Sequence, residues 1–403
     1  MHTCVTIRRP SGPLRGSIAL PPSKSVANRA LILAALAGDP DCVKNIGEAE
    51  DTVTLRDRLR ERSATLHCGD GGTTLRFLLA WACVQEGAEH FITGNARLLQ
   101  RPHGTLVQAL RELGADITEV ATGFRVRGKR MKGGTITLHA PESSQFISAL
   151  LLVAPSFSEG LHLRWTGLRL STPYVRMTLE ILKHFGARLH ADDVTIGVES
   201  GTLVPKELSV PADWSAASFW YQIAALATDA HFTLPDLDHN GLQGDQHIAA
   251  LLGSFTETAL LANGTVVSHK ASGPKVLFQA DLKDTPDLFQ PLAFTLAALG
   301  RSAEFTGLHN LPLKETDRLK AVAEALATLG CEAHYEGGLF NLQGPITNLD
   351  PPPFDPQGDH RMAMSLAPLA LVCNAITILH PEVVAKSYPG FWEDLRSVGF
   401  SVF

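Results

Sequence analysis

The sequence predicts a mixed α/β (α+β) fold of two similar domains, each built from three repeats. Three observations predict it. A motif of apolar-periodic helix, glycine, short strand, turn and strand recurs along the chain. Between these motifs lie nearly all-apolar helices that only a protein interior can accommodate. At 403 residues the chain also exceeds what one hydrophobic core usually serves.

The recurrent motif is clearest in ALRELGADITEV…FRVRG from Ala109, LEILKHFGARLHADDVTIGV from Leu179 and EALATLGCEAHYEGGLFNLQG from Glu324. DLRSVGFSVF from Asp394 is a shortened copy. Weaker copies are LRDRLRERSATLHCG from Leu55 and AALLGSFTETALLANGTVVSH from Ala249. Gly114, Gly186, Gly330 and Gly399 fall where a helix must end in positive φ. The Gly114–Gly186 and Gly330–Gly399 separations are 72 and 69 residues, which gives a unit of about 70 residues with two helices, about six times over.

The second helix of each unit begins at a hydroxyl or glycine: SKSVANRALILAALAG, GGTTLRFLLAWACV, ESSQFISALLLVAP, STPYVRMTLEILKHFG and TPDLFQPLAFTLAALG. Helices this apolar are buried, so their N-termini remain for chemistry. Free N–H groups and the positive dipole end there suit phosphate and carboxylate. A break falls near Val210–Asp213, after VESGTLVPKELSVPAD. It divides the chain into a first domain at residues 17–211 and a second at 1–16 with 212–403.

Hydrophobic residues make up 45% and charged residues 19%, an ordinary globular composition. The net charge of −6 argues against a broad nucleic-acid surface, so an anionic ligand needs a local cluster of cations. The six cysteines are scattered without CxxC spacing and are expected to be buried, reduced thiols. The sixteen histidines form no HExxH and no Cys/His cluster, so no metal site is expected. MHTCVTIRRPSG has no signal-like apolar core, and apolar runs such as Leu366–Cys373 are too short to span a bilayer. A cytoplasmic protein without membrane contact is expected.

Several clusters carry candidate chemistry. Ser23-Lys24-Ser25 with Arg29 opens a buried helix and suits an anion; a capped helix with solvated cations is the alternative. Asp70-Gly71-Gly72-Thr73-Thr74-Leu75-Arg76 allows close backbone approach to a ligand, or is only a cap. Arg97 and Arg101 lie in NARLLQRPHGTL, with Arg101 held extended by Pro102. Ser143, Ser144 and Gln145 suit a phosphate or polyol, although taken alone they are better read as a helix cap. Asn310, Lys314, Glu315 and Arg318 gather at a helix entry, with Lys314 and Arg318 an i,i+4 pair around a carboxylate; a surface ion pair is the alternative. Arg361 in Asp359-His360-Arg361 opposes a helix dipole, which favours anion binding. Lys386 lies in Ala385-Lys386-Ser387-Tyr388-Pro389.

PPSKSVANRALILAALA, DGGTTLR, RLLQRP, SSQFISALL, STPY, LKETDRL, GDHRMAMSLA and AKSYPGF together resemble, in this order, the motifs of the EPSP synthase family of enolpyruvyl transferases. The resemblance runs from about Ile7 to Phe391. It implies two domains, each of three βαβαββ units, with the active site in the interdomain cleft. It implies that shikimate 3-phosphate is held by Lys24, Ser25, Arg29, Ser143, Ser144, Gln145, Ser171, Asp287, Asn310 and Lys314. Phosphoenolpyruvate would meet Lys24, Gly72, Arg101, Gln145, Arg318, Arg361 and Lys386, with Arg76 and Tyr174 as neighbours. Asp287 and Glu315 would carry the acid–base chemistry, assisted by Lys24. The implied partners are these two small molecules, with no metal, no organic cofactor and a monomeric chain.

Three features depart from the family pattern. Asp70 stands where the glycine loop usually has Asn. The segment between Asp51 and Asp70 is too short for the usual hairpin, and the segment after Lys386 is compact. A sister enzyme acting on UDP-N-acetylglucosamine typically shows Lys-Asn at Lys24-Ser25 and a loop cysteine, which is missing around RLLQRP. A non-catalytic phosphometabolite-binding protein would not need Asp287, Glu315 and Lys386 together.

Overall fold

The computed structural model describes residues 4–61, 63–271 and 276–403. Met1–Thr3 of the N-terminal stretch and Arg62 of the Leu55 copy lie outside the described residues. The chain divides into two compact units: Pro22–Val210, and the segment up to Pro21 with Pro211–Phe403.

One sheet pattern recurs in both units. In Pro22–Val210, strand Thr65–His67 runs parallel to Glu89–Thr93, which pairs antiparallel with Gly123–Arg127, which pairs antiparallel with Asp116–Val120. Gly134–His139, Leu161–Thr166, Thr195–Val198 and Leu189–Ala191 repeat that order, with Thr135 opposite His162 and His139 opposite Thr166. With the intervening helices, each is a βαβαββ unit. The parallel first pair requires a helical crossover, and the hairpin that follows needs only a short turn.

The other unit uses the same order in Phe278–Asp281, Ala303–Thr306, Leu339–Gln343 and Glu332–Glu336. Its remaining repeats draw on the N-terminal segment. Leu14–Ser17 is the parallel first strand beside Ala230–Pro235, with Gly264–His269 and Thr256–Leu261 completing that sheet. Cys4–Arg8 lies between Ile376–Leu379 and Ser401–Val402, supplying the strand that the shortened DLRSVGFSVF copy lacks. Phe354 adds a parallel bridge to Ile378.

The unit around helix Lys24–Ala37 is abbreviated. Leu208–Ser209 pairs parallel with Val43–Lys44, and among the described residues no further strand joins that two-stranded sheet. The copy read at Leu55 is therefore not helix–strand–turn–strand: helix Glu50–Arg60 leads directly to Thr65–His67, the first strand of the next repeat.

Helices Lys24–Ala37, Gly72–Cys83 and Ser144–Val153 pack on one another and are buried almost all round. Trp214–Leu226, Phe289–Ala298 and His360–Leu366 do the same in the other unit. The glycines at the helix ends behave as their spacing predicts: Gly186 and Gly330 adopt φ of 85° and 76°. Cys42, Cys68, Cys83, Cys331 and Cys373 are buried free thiols, but Cys4, on a strand, is exposed. No helix among the described residues is long and apolar enough to cross a membrane.

Candidate active site

In Pro22–Val210 the predicted residues gather at helix starts. Lys24 is the first residue of its helix, and its Nζ donates to Asp51 Oδ2 at 2.8 Å. Asp51 sits in the first turn of Glu50–Arg60, where a carboxylate suits the positive helix end. Ser23 occupies the N-cap position but does not cap: its Oγ is buried without a hydrogen-bond partner among the described residues. Ser25 offers its carbonyl to Arg29 Nη1 at 2.7 Å.

Arg29 is buried, and its other hydrogen bonds run to Thr178 Oγ1 at 2.8 Å and Ser148 Oγ at 3.2 Å. Its guanidinium lies 5.4 Å from the Phe77 ring and 5.9 Å from that of Tyr174. Burial pulls its pKa down to about 10, with Tyr174 opposing, so it remains a cation at neutral pH.

Gly72 opens helix Gly72–Cys83 with the Arg101 guanidinium directly over it. A β-carbon at Gly72 would lie 2.6 Å from Arg101 Nη1 and 3.1 Å from Cζ. One turn on, Arg76 Nη1 donates to Gln145 Oε1 at 2.5 Å, and Gln145 Nε2 donates to Thr73 Oγ1 at 3.0 Å. Ser143 does cap its helix, accepting from Gln145 N at 3.2 Å. Ser144 follows it and is buried, and Ser171 heads Thr172–His184 in a left-handed conformation. Asp70 is exposed and accepts from Asn95 Nδ2 at 2.9 Å.

The second unit holds a network centred on Arg318, whose side chain is 2% exposed. Its Nε donates to Asp359 Oδ2 at 2.7 Å, Nη1 to Asp287 Oδ1 at 2.8 Å and Nη2 to Glu315 Oε2 at 3.2 Å. Arg361 Nη2 donates to Asp287 Oδ2 at 2.9 Å, and Lys314 Nζ lies 3.7 Å from Asp287 Oδ1. Lys386 Nζ lies 3.3 Å from Glu315 Oε1. Burial alone would raise the Asp287 pKa, but Arg361, Lys314 and Arg318 outweigh it and hold the carboxylate well below the usual range. Arg318 moves the other way: Asp359, Glu315 and Asp287 outweigh its burial and raise its pKa.

Two local expectations change. Helix Arg318–Thr328 begins only after Asp317, which caps it by accepting from Lys320 N at 3.2 Å. Lys314 and Arg318 are therefore not a helical i,i+4 pair; Asp287 brings them together. Glu315 does lie between two cations, but these are Arg318 and Lys386. Asn310 is buried at the turn before Leu311–Leu313.

Three carboxylates, one in the first unit and two in the second, were given no role by the sequence. Asp51 faces Lys24 across 27 residues. Asp359 is fully buried, caps the helix carrying Arg361 through its backbone N–H at 2.9 Å, and holds Arg318. Asp245 is buried, accepts from the Ser215 hydroxyl, and is raised to about 6 by burial first and the nearby Asp287 charge second, against Arg361. An acidic residue opening each local helix was the available signal for Asp51 and Asp359.

Helix starts lined with lysine, arginine and hydroxyl groups in one unit, and two carboxylates held by four cations in the other, define an α/β protein that handles small, multiply anionic molecules. The family model described as "EPSP synthase (3-phosphoshikimate 1-carboxyvinyltransferase)" matches residues 8–64 and 55–395. A protein of Bacteroides fragilis named 3-phosphoshikimate 1-carboxyvinyltransferase is 40% identical over 404 residues, spanning 96% of each chain. One of the same name from Methanospirillum hungatei is 31% identical over 428 residues, again 96% of each. The chain belongs to the EPSP synthase family, a family of transferases. Among solved structures, an EPSP synthase of Acinetobacter baumannii superposes with a TM-score of 0.77 at 23% identity, covering both chains completely. The enolpyruvyl transferase NikO of Streptomyces tendae gives 0.77 at 16% identity, covering 100% of this chain and 99% of its own. At these identities the likeness concerns the fold.

Proposed function

We propose that this enzyme transfers the enolpyruvyl group of phosphoenolpyruvate to the 5-hydroxyl of shikimate 3-phosphate and releases phosphate, a step toward chorismate and the aromatic amino acids. The observation that carries the reading is the shared hold of Arg318 on Asp287 and Glu315, flanked by Lys314, Arg361 and Lys386. The Asp287 carboxylate is kept ionised by cations that two anionic substrates would also need, and Glu315 lies beside it on the same Arg318.

Lys24, Ser25, Arg29, Ser143, Ser144, Gln145, Ser171, Asp287, Asn310 and Lys314 are the proposed contacts to shikimate 3-phosphate. Lys24, Gly72, Arg101, Gln145, Arg318, Arg361 and Lys386 are those to phosphoenolpyruvate. Arg29 already donates to Thr178, Ser148 and the Ser25 carbonyl, so its part is chiefly the positive charge it keeps behind the helix start. Holding two anions against their repulsion is itself catalytic; positioning of this kind contributes roughly 7–11 kcal/mol in favourable cases.

Asp287 takes the proton of the 5-hydroxyl as its oxygen bonds to C2 of phosphoenolpyruvate. The C2–C3 π electrons take a proton at the methylene carbon from Glu315 in its protonated form, giving a tetrahedral phospho-intermediate and the Glu315 carboxylate. The Glu315 carboxylate then takes back a methyl proton, the C2–C3 double bond re-forms as the bond from C2 to the phosphate oxygen breaks, and phosphate leaves with the proton held by Asp287. Lys24 is the further proposed catalytic residue, as a charge stabiliser. The repeats from residues 17–211, and those from 1–16 with 212–403, are proposed as the two domains. A monomeric, cytoplasmic enzyme needing no metal, nucleic acid or membrane completes the proposal.

The test is phosphate release from purified protein. Turnover with phosphoenolpyruvate and shikimate 3-phosphate, and none when UDP-N-acetylglucosamine replaces the latter, is expected. The opposite preference, or binding without turnover, would sink the proposal.

A further inference from the structure

We infer that His103 is a positioning residue that fixes the Arg101-Pro102 turn, and through it sets the Arg101 guanidinium over Gly72; the inference rests on the proposed contact of Arg101 with phosphoenolpyruvate.

Helix Ala96–Gln100 is short, and the chain leaves it through Arg101 at φ −69° and ψ 156°. Pro102 has no N–H with which to secure the turn. Two donors instead meet the Leu98 carbonyl: the Arg101 backbone N–H at 3.2 Å and the His103 Nε2 at 2.9 Å. Arg76 Nη2 donates to the Pro102 carbonyl at 3.2 Å, so the turn is held from both sides.

The His103 ring is buried, with its edge toward Phe124 at a centroid distance of 5.7 Å. Nδ1 has no hydrogen-bond partner among the described residues, so the proton belongs on Nε2, facing Leu98. Burial first, then Arg76 and Arg101, pull the His103 pKa down to about 4 against the Leu98 bond. The ring is therefore a neutral donor at working pH and adds no charge beside the two arginines. A hydrophobic residue could fill this space, but it could not tie the turn to the preceding helix. The tie matters because the Arg101 guanidinium must lie against the Gly72 α-carbon, where a small backbone shift moves it off the helix N-terminus.

His103 also occupies the N-cap position of helix Gly104–Glu112. His103 makes no side-chain cap; His103→Asn puts a favoured residue at that position yet is too short to reach Leu98, whereas His103→Gln keeps an N–H donor with longer reach. In the phosphate-release assay, His103→Asn is expected to raise KM for phosphoenolpyruvate about tenfold, with KM for shikimate 3-phosphate within about twofold of the parent. His103→Gln is expected to recover most of that loss. Melting temperatures measured alongside separate this from a packing role. If both variants melt lower and the KM ratio stays at the parental value, or if Gln gives no recovery, the inference is overturned. Arg101→Ala in the same assay distinguishes the two failures. Should Arg101→Ala raise KM for phosphoenolpyruvate while His103→Asn does not, only the role of His103 is wrong. Should Arg101→Ala leave that KM unchanged, the placement of Arg101 on phosphoenolpyruvate is wrong as well.

Discussion

The Arg101 guanidinium occupies the space that a side chain on Gly72 would need, with Nη1 only 2.6 Å from where a β-carbon would stand. The obstructing atoms are the far end of a flexible side chain rather than backbone. Gly72→Ala should therefore fold and displace Arg101. We expect KM for phosphoenolpyruvate to rise about tenfold or more, with little change for shikimate 3-phosphate. Initial rates with each substrate varied in turn check this, and equal effects on both would place the loop elsewhere.

Glu315 is held by Arg318 at 3.2 Å and Lys386 at 3.3 Å. Glu315→Gln retains the shape and loses the proton-transfer group. Turnover should fall by about two to four orders of magnitude, with binding of both substrates largely kept. Solvent deuterium should no longer enter the methylene of phosphoenolpyruvate, a signal that NMR reads directly. Exchange at the parental rate would move the proton donor to Lys24 or Lys386.

Asp287 neutralises Arg318, Arg361 and Lys314 together. Its folded pKa lies well below its ordinary value, so its stabilisation is present above about pH 4 and is lost as pH falls through the lower folded value. Asp287→Asn should cost roughly 2 kcal/mol at pH 7. That difference should shrink only in strong acid. Denaturant titrations at pH 7 and pH 3 test the sign; a larger loss at pH 3 would contradict it. Turnover should fall too, since the hydroxyl of shikimate 3-phosphate loses its base.

Asp245 has the opposite sign. With its folded pKa raised to about 6, stability declines as pH rises from about 4 to 6, because the folded protein must then bury the charge. Asp245→Asn keeps an acceptor for Ser215 and removes the charge. It should stabilise the protein by roughly 2–3 kcal/mol at pH 8 and by little at pH 4. Thermal melts across that range check it, and destabilisation at pH 8 would show that the carboxylate is a needed counter-ion of Arg361.

What could be foreseen here was local. Hydroxyl- and glycine-headed apolar helices, the glycines that end their neighbours, and, through the family resemblance, the carboxylates Asp287 and Glu315 are all written in contiguous residues. Pairings across long separations were not. Lys24 with Asp51 and Arg318 with Asp359 depend on how helices pack, and neither partner marks the other in sequence. Capping was misjudged twice for a related reason. Ser23 stands where a cap should be, yet its hydroxyl is turned away, while Asp317 caps where the helix was expected to have begun already. Position along the chain identifies a helix end, but the rotamer decides whether the side chain serves it. Sheet membership was the least foreseeable, because Cys4–Arg8 and Leu14–Ser17 are short strands whose partners are hundreds of residues away.

Those two strands impose an order on biosynthesis. All of Pro22–Val210 can leave the ribosome and pack before Ile376–Leu379 or Ser401–Val402 exists. At ordinary elongation speeds, the wait from residue 210 to 402 is roughly ten to forty seconds. Leu14–Ser17 gains its neighbour Ala230–Pro235 early in that wait, but Cys4–Arg8 stays unpaired until Ile376–Leu379 is made. The nascent chain is thus exposed to wrong pairing longest at Cys4–Arg8, and this is where a chaperone would find it.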